Sequence, residues 1–313
     1  MNLSQLEYLR EICVSGSFSS AAEKLGITQP ALSLQIQKLE EELDFKLINR
    51  AKRPLKLTDE GEIFYEKVTG ILQQVDQLKD IAFELGDEIK GTLKIGIIPT
   101  LAPYLVPLFL TRLSQEYPAL HIEVYELKTE DIIADLKMSR LDCGIISTPV
   151  SEHNLDIRIL FYERFFAYVS DRHPLYKKDA VLINEIDEND LWYLEEGNCF
   201  QNQVNSICNL SPRIRAGRHL DYRSSSIDSL RRIVENENGV TFVPELATIN
   251  IPSEQEDMIK DFSDDHPVRE ISLITLKRPS KERQVKALQT IIKKSVPKRM
   301  LENTNGRVMD TLL

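Results

Sequence analysis

Two of the four cysteines in this 313-residue chain, Cys199 and Cys208, stand nine residues apart in the run Asn-Cys-Phe-Gln-Asn-Gln-Val-Asn-Ser-Ile-Cys. That spacing does not suit a zinc ribbon, whose ligands come in pairs two to four residues apart, nor a Cys-x-x-Cys redox helix. It permits a disulfide once the intervening backbone moves. If the segment is helical, its end Cα atoms start roughly 13 Å apart at ~1.5 Å rise per residue, whereas bridged Cα atoms lie ~4.4–6.8 Å apart. Oxidation would then unwind the segment, and a local redox event would become a change of shape. The reactive form of either cysteine is the thiolate, which needs partial access and a positive surrounding. A start-of-helix position would help. Glu195 and Glu196 oppose it, which leaves the cations to come from elsewhere, with Arg213, Arg215, Arg218 and Arg223 as candidates. Cys143, in Leu-Asp-Cys-Gly-Ile-Ile, and Cys13, after Ile12, read as packing residues.

Composition narrows the setting. Length points to two or three domains, and the hydrophobic and charged fractions, 42% and 28%, are ordinary for a water-soluble protein. No apolar run approaches the ~20 residues of a membrane span, and the first residues lack the basic start and apolar core of a signal peptide. Four unclustered cysteines fit the reducing cytoplasm, where a disulfide is transient rather than structural. A net charge of −10 argues against general affinity for nucleic acid, but a local basic face can still bind it. No metal or cofactor is expected.

Such a face stands near the N-terminus. Leu3, Leu6, Leu9 and Ile12 repeat at helical spacing. A second short helix with Ala21, Ala22 and Leu25 on one side ends at Gly26. Thr28 is a cap candidate for a third helix, Pro30 sits in its first turn, and Leu32, Ile36, Leu39 and Leu43 continue its buried side. Gln29, Ser33 and Gln35 are suited to base edges and phosphates. From Lys46 to Leu57 come five cations (Lys46, Arg50, Lys52, Arg53, Lys56) and no acid, while acids mass at Glu40, Glu41, Glu42 and Asp44. Arg50 and Arg53 suit phosphate or narrow minor-groove contact. After Thr58 a helix of about seven turns, with apolar positions from Ile63 to Leu85, calls for a partner helix. Beyond Gly91, strands at Thr92–Ile98, His121–Leu127 and Cys143–Ser147 alternate with helices at Tyr104–Tyr117 and Asp131–Ser139. This βαβαβ order predicts a parallel sheet. A second run starts near Phe165, and the strand from Ile271 and helix from Lys281 return to the first. The polar residues from Val296 are expected to fray.

Together these features resemble the LysR-type transcriptional regulators. Phe18-Ser-Ser-Ala-Ala, Thr28-Gln-Pro-Ala-Leu-Ser and Gln35-Ile-Gln-Lys-Leu-Glu look like that family's DNA-binding signature. Leu47-Ile-Asn-Arg and Leu57-Thr-Asp-Glu-Gly look like its wing and linker entry. Ile95-Gly-Ile-Ile-Pro-Thr-Leu-Ala-Pro, Lys128-Thr129 and Gly197-Asn-Cys through Cys208 resemble its peroxide-sensing members. The resemblance implies an all-α winged helix-turn-helix (1–60), a linker and dimerisation helix (61–89), and an α/β regulatory domain (90–300). The last would be built as two Rossmann-like, periplasmic-binding-protein-like subdomains, 90–163 plus 269–300 and 164–268, followed by a tail (301–313). It further implies that Cys199 is the peroxidatic thiol, Cys208 the resolving thiol, and Thr100 and Thr129 the hydroxyls near hydrogen peroxide. On the residues alone, either threonine could equally cap the helix after it. Two positions depart from the family: Asn198 stands where His is frequent, and Gln201 replaces a nearby Arg.

The implied function is a cytoplasmic activator of oxidative-stress genes, not an enzyme, working as a homotetramer on double-stranded promoter DNA. Its further partners would be RNA polymerase and a thiol-disulfide reductant for reset. The competing readings are a LysR-type regulator answering a small-molecule metabolite between the subdomains and a thiol peroxidase.

Overall fold

This computed structural model describes residues 1–49, 55–84, 88–194, 199–208, 226–263, 266–277, 279–303 and 306–311. The chain divides into two compact units, Met1–Ala82 and Phe83–Leu313.

In the first unit α1 (Leu3–Ser15), α2 (Phe18–Leu25) and α3 (Gln29–Leu43) enclose a core of Leu6, Leu9, Ile12, Leu32, Ile36 and Leu39. Local sequence sets each boundary. Asn2 and Gln5 form a reciprocal capping box on α1, and Ser17 caps α2. Gly26, at φ +66°, ends α2 in the left-handed conformation that glycine adopts without a Cβ penalty. The Thr28 side chain accepts from Ala31 N at 3.4 Å and starts α3. A two-stranded antiparallel ladder follows, β1 (Ile48–Asn49) on β2 (Lys56–Leu57). Thr58 then accepts from Gly61 N at 2.9 Å, and α4 runs Asp59–Glu84 with three acids in its first turn, where the helix dipole favours them. Ile63, Ile71 and Leu78 on α4 are 67%, 41% and 67% exposed, leaving an apolar stripe uncovered in the single chain.

The second unit is built on one mixed sheet. Its first part is the expected βαβαβ: β3 (Gly91–Ile97), α5 (Ala102–Glu116), β4 (Leu120–Glu126), α6 (Thr129–Lys137) and β5 (Cys143–Thr148), with β3 parallel to both β4 and β5. Next comes β6 (Leu155–Val169), a 15-residue strand that the sequence reading began only at Phe165. The order continues β7 (Ala180–Val181), α7 (Cys199–Ile207), α8 (Ile227–Asn236), β8 (Val240–Pro244), α9 (Glu245–Thr248), α10 (Ser253–Glu256), β9 (Ile259–Phe262), β10 (Pro267–Leu276) and α11 (Glu282–Ser295). β10 lies antiparallel between β5 and β6, and β6 continues into antiparallel pairing with β8 and β9. Lys281 ties the start of α11 to the first part, donating to Thr92 O at 2.8 Å and pairing with Asp142.

Two apolar cores result. One holds Ile95, Phe109, Ile145, Phe161, Leu273 and Leu288; the other holds Phe165, Tyr168, Phe200, Val204, Phe242 and Phe262. β6 contributes to both, Phe161 to the first and Phe165 to the second.

The C-terminal segment corrects an expectation. Its described residues are ordered by pairing: β11 (Arg307–Val308) lies parallel to Pro267 and Val268 of β10, and Met309 and Thr311 are buried. Backbone pairing with a distant strand decides this, which the polar local composition does not reveal.

Candidate functional site

Cys199 is the first residue of α7 and is buried at 4% exposure. Its side chain belongs to the first apolar core, while the next residue, Phe200, belongs to the second. The Thr129 hydroxyl, at the first residue of α6, donates to Cys199 Sγ at 3.9 Å. Thr100, buried after β3, receives both outer nitrogens of Arg269: Nη1 reaches its hydroxyl and Nη2 its carbonyl, each at 3.1 Å. Neither threonine caps a helix. Leu101 and Lys128 hold the cap positions of α5 and α6, and neither makes a side-chain capping bond. The cap alternative is therefore discarded for both.

A cation does act on Cys199 from elsewhere in the fold, Arg269; the candidates Arg213, Arg215, Arg218 and Arg223 lie outside the described residues. Arg269 projects from β10, fully buried, with its Cζ 5.1 Å from the centre of the Phe200 ring, within cation–π range. Its Nε donates to Glu163 on β6, likewise fully buried. The second oxygen of Glu163 accepts from Leu246 N at 3.1 Å. The available signal was a charged pair, Arg269-Glu270, set in the otherwise largely apolar strand Pro-Val-Arg-Glu-Ile-Ser-Leu-Ile, because a buried charge needs a partner.

Burial pushes the Cys199 thiol above its usual range. The Arg269 charge is the chief opposing influence, followed by the Thr129 hydrogen bond and the N–H groups of Phe200 and of Cys199 itself at the helix start. At the sulfur, then, burial favours the thiol, while Arg269, Thr129 and the helix-start N–H groups favour its anion. Cys208 follows the last turn of α7, its N–H bonded to Val204 O at 3.0 Å. Burial, with Glu188 adding, pushes it up to about 12. It packs against the second core. Both cysteines are free thiols, as are Cys13 and Cys143. With α7 formed, about 13 Å of helix rise separates the pair, so the structure brings Cys199, Thr129, Arg269 and Thr100 together and leaves Cys208 apart. Asn198 lies outside the described residues. Gln201 supplies no charge here: it accepts from Leu194 N at 2.9 Å and donates to Asn205 at 2.7 Å, fixing α7 to the preceding loop.

In the first unit Thr28 and Gln29 are exposed at the start of α3, with Gln29 accepting from Ser19 at 3.1 Å. Ser33 is half-buried. Gln35 is held on α1, its side chain and carbonyl both accepting from Gln5 Nε2 at 3.4 Å. Arg50 and Arg53 fall outside the described residues. One of the acids before the basic loop has an unforeseen role. Glu40, buried on α3, accepts from Leu47 N at 3.0 Å and Ile48 N at 3.3 Å and pairs with Lys46, fastening β1 to α3. Among the described residues no cluster of His, Cys, Asp and Glu could hold a metal ion, and no helix is long and apolar enough to cross a membrane.

A helix-turn-helix with a short β ladder, joined through a long helix to a two-core α/β unit, defines a class of DNA-binding regulator. Residues 3–62 match the bacterial regulatory helix-turn-helix protein of the lysR family, and residues 86–297 match the LysR substrate binding domain. The chain belongs to the LysR family of transcriptional regulators. It is 34% identical over 251 residues to a hydrogen peroxide-inducible genes activator of Haemophilus influenzae, covering 80% of this chain and 82% of that one. To the Escherichia coli DNA-binding transcriptional dual regulator OxyR it is 33% identical over 259 residues, 82% of each. Among solved structures, a mutant of full-length OxyR from Pseudomonas aeruginosa superposes with a TM-score of 0.74 at 26% identity, over 95% of this chain and 99% of that one.

Proposed function

We propose that the protein is a peroxide-responsive transcriptional regulator that senses hydrogen peroxide through a reversible Cys199–Cys208 disulfide and controls oxidative-stress genes. The observation that carries this reading is Cys199 at the start of α7, hydrogen-bonded by Thr129 and facing the buried Arg269–Thr100 pair. As a thiolate, Cys199 attacks one peroxide oxygen, the O–O bond breaks, and hydroxide leaves, giving a sulfenic acid. The thiol of Cys208 then displaces the sulfenic oxygen as water, forming the disulfide. A cellular dithiol returns both sulfurs to thiols. Thr129 and Thr100 are the hydroxyls that orient peroxide, with Arg269 offsetting negative charge on sulfur and on the departing oxygen.

The signal reaches DNA through a cytoplasmic homotetramer, a dimer of dimers. Its support is the uncovered apolar stripe on α4, which suits a second copy. The domain plan is 1–60, 61–89 and a regulatory part from 90, split into 90–163 plus 269–300 and 164–268; the two buried cores support that division. Thr28, Gln29, Ser33, Gln35, Arg50 and Arg53 contact promoter DNA, RNA polymerase is the downstream partner, and the protein is no enzyme.

Mass-spectrometric mapping before and after brief peroxide exposure tests this. The expected product is an intramolecular Cys199–Cys208 disulfide in an otherwise reduced chain, with the transcriptional response abolished in Cys199→Ser. A normal peroxide response in that variant sinks the sensor reading and leaves a metabolite-responsive regulator. Many turnovers of peroxide per chain at high rate would restore the peroxidase.

A further inference from the structure

The buried C-terminal segment is not used by the chemistry above, yet it is bonded to the helix between the two sensor thiols. Gln203, fully buried on α7, donates from one nitrogen to Met309 O at 3.0 Å and to Ser147 on β5 at 3.1 Å. Asn202, half-buried beside it, donates to Thr311 O at 3.1 Å. The segment is held from the other side by Met309 N on Val268 O at 2.9 Å, by Arg307 N on His266 O at 3.1 Å, and by the Thr311 hydroxyl on Pro149 O. Two side chains of the sensor helix thus hold backbone carbonyls of the chain end.

We propose that residues 306–311 are a clasp that positions α7 in the reduced form, opposes closure of the disulfide, and is released when the disulfide forms. The proposal rests on the Cys199–Cys208 reading above. Its argument is geometric. Bridging requires Cα atoms ~4.4–6.8 Å apart, and a helix of this length holds them about 13 Å apart. Asn202 and Gln203 lie three and four residues into the loop that the disulfide closes, so its closure is expected to pull both from their helical places. Met309 O and Thr311 O then lose their side-chain donors. What remains to hold the segment is a two-residue ladder on β10, the Thr311–Pro149 hydrogen bond and the burial of Met309, a weaker hold than the intact clasp. Because the clasp binds only the reduced fold, it shifts the thiol–disulfide equilibrium toward the dithiol by linkage, as any ligand of one state does.

The experiment uses the full chain and two measurements. Amide hydrogen exchange of residues 306–311 is compared in the reduced and peroxide-treated protein, with the disulfide verified by mass spectrometry in the same sample. Exchange should rise at least tenfold on oxidation. A fully formed disulfide with unchanged protection of 306–311 overturns the clasp while leaving the sensor reading intact. The second measurement is the midpoint potential against a glutathione buffer, for the wild type, Asn202→Ala and a chain ending at residue 305. Loss of the clasp should favour the disulfide about tenfold, or about 30 mV toward more negative potential, and should raise exchange of 306–311 in reduced Asn202→Ala. A part that is merely structural would lower the melting temperature of both redox states and leave the potential unmoved, which also overturns the proposal. Should no disulfide form at all, the sensor reading fails, and reduced Asn202→Ala still decides whether α7 holds the chain end. If the shortened chain fails to fold, Asn202→Ala alone decides.

Discussion

At the scale of residues, a carboxylate sets how much of its charge Arg269 can lend to sulfur. Glu163 and Arg269 are both fully buried and partner each other; part of the cation's field is therefore spent on the carboxylate. Glu163→Gln should lower the pH midpoint of Cys199 alkylation and speed its reaction with peroxide at neutral pH. It should also destabilise the chain by about 3–5 kcal/mol, since it leaves a buried cation unpaired. Alkylation rate against pH and urea melts of the same variant read the two effects separately. The thiols also predict alkaline behaviour. Burial pushes Cys13 up to about 11 and Cys208 up to about 12, and an acid whose folded-state value is raised binds its proton more tightly when folded. Stability from this source is complete below the ordinary thiol value of ~8.5 and is lost as pH rises toward 11–12. Melting temperature should fall between pH 8.5 and 11, with a shallower slope in Cys208→Ala. Cys199 and Cys208 drew notice by their spacing, and Thr100 and Thr129 by the family resemblance; the structure sets Thr129 on the Cys199 sulfur and Thr100 on Arg269. Arg269 left a local trace, a charge within an apolar strand, but its pairing with Glu163 left none, because 106 residues separate them in the chain and nothing local announces that two strands will bring them together.

At the scale of elements, legibility followed how locally each is determined. The helices of the first unit carry their own caps and apolar faces, and α3 starts at Thr28 and α2 stops at Gly26 as the sequence indicates. β3, β4 and β5 with their helices were readable from alternation. β6 and β11 were misread, the first because charged Glu163 and Arg164 interrupt its apolar pattern and the second because it is too short to have one. The β1–β2 ladder has a local device of its own. Glu40→Ala would leave the N–H groups of Leu47 and Ile48 without their carboxylate, at about 1–3 kcal/mol for each buried group. We expect a lower melting temperature for the first unit and weaker binding to duplex DNA with a reduced salt slope, because cations near β1 lose their fixed position. Fluorescence anisotropy over a range of salt concentrations measures the second effect; an unchanged slope would show that the ladder holds itself.

At the scale of the whole molecule, the apolar stripe of α4 and the two-core regulatory unit carry the remaining expectations. Leu78→Glu alters a side chain 67% exposed in the single chain, so the fold should be unaffected while light scattering reports a smaller assembly; an unchanged mass would place the association elsewhere. The two cores share β6, hydrogen-bonded to β10 on one stretch and to β8 and β9 on the next. Residues 90–300 should therefore melt in one calorimetric transition rather than two. Adjacent residues at the start of α7 are rooted in different cores, Cys199 in one and Phe200 in the other. A single peptide bond is the crank between two flywheels. A displacement of the Cys199 sulfur would therefore pull on one core directly and on the other through Phe200, and should shift the two lobes against each other rather than together.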